Sequence, residues 1–60
     1  MINQVVKELI ESDYENGYKE EIEALSDEDL AQEMYWDACL DEYYTQEEVL
    51  VAVKAFRNVQ

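Results

Sequence analysis

From Glu20 to Glu48 the chain carries twelve acids and neither Lys nor Arg. No other feature constrains its fold as strongly. Carboxylates crowded into 29 residues without a counter-charge repel one another, and self-repulsion destabilises a compact state. A fold that includes this stretch must hold the acids on its outside and rely on the apolar residues between them for cohesion. Elsewhere four acids (Glu8, Glu11, Asp13, Glu15) are balanced by four bases (Lys7, Lys19, Lys54, Arg57). The net charge of −12 therefore sits in one internal segment, a negative surface suited to a positive partner.

The apolar residues recur at helical spacing. Ile2, Val5, Val6, Leu9 and Ile10 share one face, which predicts a first helix from about Asn3 to Glu15. Asn16-Gly17 is the strongest break, because Gly readily takes the left-handed conformation that ends helices. The alternative is a helix capped by Ser12 that runs through Gly17, with Tyr14, Tyr18, Ile22 and Leu25 along one side; the break is preferred. Tyr18, Ile22 and Leu25 then mark a short second helix. Ser26 suits the cap of a third, whose first turn holds Asp27, Glu28 and Asp29 where the helix dipole favours negative charge. That helix is expected to reach about Tyr43. Thr45-Gln46-Glu47-Glu48 reads as a capping box and opens a last helix to about Asn58. Its stripe is Val49, Ala52, Val53, Phe56 and Val59, widened by Leu50, Val51 and Ala55. So apolar a helix belongs at the centre of the fold or keeps a face for a partner. Val49 to Val53 would also suit a strand, but the cap and the helix-forming neighbours oppose it.

Sixty residues make at most one domain. With no Pro and a single Gly, the expected fold is all-α: a small bundle of three to four helices over residues 1–60, monomeric or a weak homodimer. The lone Cys39 cannot form an internal disulfide, which fits a reducing compartment. The N-terminus lacks the apolar run of a signal peptide, and no stretch has the length of a membrane span. The expected address is cytoplasmic. Twelve excess negative charges also predict no binding to membranes or directly to nucleic acid.

Catalysis is not expected. The chain has no His, the commonest general base and metal ligand. Cys39 has no His, Lys or Arg near it in sequence to favour a thiolate and is read as packed. Asp27-Glu28-Asp29 lacks the Gly and the later ligands of a calcium loop. No catalytic residue, cofactor or metal site is therefore assigned.

The candidate partner-binding residues lie in the third helix and just after it. Leu30, Ala31, Met34, Tyr35 and Ala38 form its core stripe. Asp29, Glu33, Asp37 and Asp41 follow at four-residue spacing, each step rising about 6 Å. Like charges so placed cost a few tenths of a kcal/mol per pair. Duplex DNA carries a charge about every 3.4 Å along each strand. Glu20, Glu21 and Glu23, with Glu42, Glu47 and Glu48, add acidic surface that brings the density nearer to it. Trp36, Leu40 and Tyr43 make a second apolar strip at i, i+4 and i+7. Either it is sandwiched in the bundle or it is an exposed aromatic anchor. Trp and Tyr are over-represented among residues that carry interface energy. Tyr43-Tyr44 cannot both face inward from a helix end, so one phenol should be exposed.

In size, missing bases and acids interleaved with aromatics, Glu20 to Glu48 resembles the small acidic proteins with which phages block host DNA-binding enzymes by imitating DNA. The resemblance is compositional. It implies an inhibitor acting on the basic nucleic-acid-binding surface of a host or defence protein, with restriction, CRISPR, recombination or transcription machinery as targets. Tyr43-Tyr44 ahead of a last helix also resembles the immunity proteins of colicin nucleases, over under a third of the chain. The alternative to the mimic is a helical adaptor or regulatory subunit that binds through Trp36, Leu40, Tyr43 and the surplus face of the last helix.

Overall fold

The computed structural model describes residues 1–58, and the expected stripe residue Val59 lies outside them. The chain is all-α: α1 (Ile2–Glu15), α2 (Lys19–Glu23), α3 (Asp27–Asp37), a 3-10 turn (Leu40–Glu42) and α4 (Gln46–Asn58). No strand occurs among the described residues. Val49 to Val53 is helical, as its cap requires. Glu48 N–H donates to Thr45 Oγ1 at 3.2 Å and Thr45 N–H to Glu48 Oε1 at 2.8 Å, closing the capping box.

Helix α4 is the central element and packs against both α1 and α3. Its Val49, Ala52, Val53 and Phe56 are buried. They meet Val6 and Ile10 of α1 and Leu30, Ala31 and Met34 of α3, with Ile22 of α2 and Leu40 of the 3-10 turn completing the core. Tyr14 packs edge-on against Phe56, ring centroids 6.2 Å apart. The widening residues of α4 divide: Leu50 and Ala55 are half-buried and Val51 is 56% exposed.

The ends of α1 and α3 use the same backbone position with different residues. After α1, Gly17 takes φ 93°. Gly17 N–H donates to the Tyr14 carbonyl at 3.2 Å and Tyr18 N–H to the Asp13 carbonyl at 3.0 Å, the two bonds of a Schellman ending. The preferred break at Gly17 is thus the one observed. After α3, the left-handed residue is Cys39, at φ 59° and ψ 29°. Its N–H donates to the Trp36 carbonyl at 3.4 Å.

This turn corrects the expected course of the third helix, which ends at Asp37 and not near Tyr43. The reversal at Cys39 carries Leu40 into the core, where it is 5% exposed. Burying a Leu side chain contributes about 1.5–3 kcal/mol, whereas a left-handed non-Gly residue costs roughly 1–2 kcal/mol. At the centres of these ranges burial outweighs strain, and the chain turns. Three further expectations fall with it. Ala38, placed on the core stripe, is exposed; Cys39, read as packed, is exposed; and Asp41 leaves the α3 row for the 3-10 turn.

One cation ties the short helix to the body. Arg57, in the last turn of α4, donates from Nη2 to the Ile22 carbonyl at 2.8 Å. Its Nη1 donates to the Leu25 carbonyl at 2.9 Å and to Asp27 Oδ1 at 2.8 Å. The guanidinium thus caps the C-terminal end of α2, where a helix dipole favours positive charge, and pairs with the first residue of α3.

Candidate partner-binding surface

Ser26 sets the orientation of α3. Its hydroxyl accepts from Asp29 N–H at 3.1 Å, fixing the first turn and hence the faces that follow. Asp29, Glu33 and Asp37 remain in one helix at four-residue spacing, all exposed. They line a single shallow groove of about 380 Å³ together with Leu25, Gln32 and Trp36. The carboxylates and the indole thus share one surface.

Trp36 is 55% exposed. Its ring and that of Tyr35 form a T-shaped pair, centroids 4.9 Å apart and planes at 83°. Tyr35 is half-buried against the core, so it buttresses the indole. Tyr43 is 76% exposed while Tyr44 packs against the core, as expected of the tyrosine pair. Leu40 is the exception. A continuous helix would have set it between Trp36 and Tyr43; the turn at Cys39 buries it, so it offers nothing to a partner.

Eleven of the twelve acids between Glu20 and Glu48 are exposed, and only Asp27 is half-buried. Among the described residues Asp27–Arg57 is the one ion pair. Glu20, Glu21 and Glu23 stand on α2, Asp41 and Glu42 on the 3-10 turn, and Glu47 and Glu48 on the first turn of α4. The Glu48 carboxylate already serves the capping box. The row of four acids is therefore a row of three, with Asp41 beyond a bend.

Two features had no sequence signal. The Arg57 clamp joins residues 30 to 35 positions apart. A second groove, between α1 and α3, is lined in part by Leu9 and Asp13 of α1, Leu25 of the link between α2 and α3, and Met34 of α3. Their helical spacing gave each helix its face but not the distance between helices.

No family model, no curated protein and no solved structure matches the chain.

Proposed function

We propose that this chain is a non-enzymatic inhibitor that covers the basic, nucleic-acid-binding surface of another protein. The observation that carries the reading is the groove in which Asp29, Glu33 and Asp37 stand beside Trp36, with no base among its lining residues. The three carboxylates rise about 6 Å per step and take the place of phosphates. Asp41 and Glu42 extend the negative surface past the bend. An acidic rim steers a basic partner and speeds encounter; Trp36 and Tyr43 add apolar contact that slows release.

The adaptor reading has support of its own, in the exposure of Trp36, Tyr43 and Val51. There the acids serve solubility and the aromatics carry the affinity. Salt separates the two. A phosphate mimic loses affinity steeply as salt rises, while an apolar interface changes little.

The test uses the basic protein captured by this chain from a bacterial lysate. Nucleic acid should compete for that protein's surface. Glu33→Lys with Asp37→Lys should slow association and flatten its salt dependence while keeping the fold, because both side chains are exposed. An unchanged on-rate and salt slope would sink the mimic and favour the adaptor.

A further inference from the structure

Helices α1 and α3 both lean on α4 and barely touch each other. The cleft left between them is about 250 Å³. Leu9, Ile22, Leu30 and Met34 form its apolar floor, and Asp13, Glu33 and Asp37 stand among its polar lining. Leu9 and Leu25 pack against the core yet stay half-buried, so part of their apolar surface is open. No base lines the cleft. It runs into the Trp36 groove, with which it shares Leu25, Glu33 and Asp37.

We infer that this cleft seats one apolar side chain of the partner, carried on a segment whose neighbouring residues are basic. The inference rests on the reading that a basic protein is the partner, and adds what that protein must bring. Charge complementarity fixes the flanks: Asp13, Glu33 and Asp37 each take a Lys or Arg, and Trp36 offers its face to a further cation. The floor fixes the centre. A cleft of this size is smaller than a small-molecule pocket of about 300–1,000 Å³ and suits a single side chain such as Leu or Met. A nucleic-acid backbone has no counterpart of this contact. The cleft therefore selects among basic surfaces, admitting those with an apolar residue set between cations.

Two short peptides without Trp test this, with Trp36 fluorescence as the readout. One alternates Lys and Arg around a central Leu; the other has Gln in place of that Leu. The Leu peptide should bind about tenfold tighter at roughly 150 mM salt, the effect of partly burying one such side chain. Ala38 lines the cleft and is exposed, so Ala38→Phe should fill the cleft, keep the helical spectrum and erase the Leu advantage. Ala38→Leu takes its place if the Phe variant loses helicity. Asp13→Asn, outside the α3 row, should weaken both peptides. Equal binding of the two peptides, salt-dependent in each, would overturn the cleft and leave the acidic-surface reading standing. An advantage that survives filling at Ala38 would also overturn it. Binding of neither peptide would overturn it too, while the charge-mimic reading would still be judged by nucleic-acid competition on the captured protein.

Discussion

Replacing Arg57 with Met should remove about 3 kcal/mol of stability. The guanidinium makes three charge-assisted contacts, to the carbonyls of Ile22 and Leu25 and to Asp27. Hydrogen bonds to charged groups contribute about 1.5–3 kcal/mol each. The Arg57 and Asp27 side chains are 25% and 34% exposed, so water reaches the site and the low end applies. The ion pair itself adds about 0–1 kcal/mol at such exposure. Two carbonyl contacts near the low end and a weak pair sum to about 3 kcal/mol. A chain of this length has a total stability of about 3–9 kcal/mol. The Met variant should therefore lie close to unfolding, with a midpoint lower by about 12–24 °C.

The comparison of variants isolates the cause. Arg57→Lys keeps the charge but not the planar fork and should cost about half as much. Asp27→Asn removes only the ion pair and should cost about 0.5–1 kcal/mol. Thermal and urea melts followed by circular dichroism read all three, with the urea slope unchanged if the transition stays two-state. Two results would refute the clamp. One is a Met variant that loses under about 1 kcal/mol. The other is an Asn variant as damaging as the Met variant, which would assign the effect to the ion pair and not to the Ile22 and Leu25 carbonyls.

Trp36→Ala should change folding stability by about 1 kcal/mol or less, since the indole is mostly exposed and loses mainly its contact with Tyr35; a melt lowered by a core-sized 3–5 kcal/mol would contradict this placement. Cys39→Gly should stabilise by roughly 0.5–1 kcal/mol, because Gly adopts the left-handed φ of 59° without the side-chain penalty but loses more freedom on folding; destabilisation in a urea melt would remove the left-handed turn from the account. Burial raises the Tyr14 phenol above its ordinary value near 10, with Glu23 adding to the rise and Arg57 opposing it. The folded state then holds that proton more tightly, so this stability is present below about pH 10 and lost as pH rises toward the raised value; melts across that range should show a smaller loss for Tyr14→Phe, and an identical loss would refute it.

The two helix endings show what the sequence could reveal. Gly17 announces a left-handed position because only Gly adopts it freely, and α1 ends there as read. Cys39 occupies the equivalent position after α3 with no such signal. The residue that forces the turn is Leu40, and its pull into the core is a tertiary effect. Periodicity alone continues the helix to Tyr43 and places Trp36, Leu40 and Tyr43 on one strip. The caps at Ser26 and Thr45 were legible because their partners lie three residues away. The Arg57 clamp was not, because its partners lie 30 to 35 residues away.

The same turn reshapes the acidic surface. A straight helix from Asp27 to Tyr43 would have presented four acids in line, a rod imitating one edge of a duplex. The bend at Cys39 leaves Asp29, Glu33 and Asp37 in line, moves Asp41 and Glu42 around a corner and takes Leu40 out of the surface. On the proposed reading, three carboxylates on one helix stand in for only a short stretch of phosphate backbone. The charge of that row alone would then give modest affinity and little choice among basic proteins. On the same reading, the features beside the row supply what it lacks. Trp36 lies in the same groove, and the apolar cleft between α1 and α3 shares Glu33 and Asp37 with it. Charge governs how fast a partner arrives, while buried apolar contact governs how long it stays. On this surface the two are adjacent, so a mutation at Glu33 or Asp37 should act on arrival and one at Trp36 or Ala38 on departure.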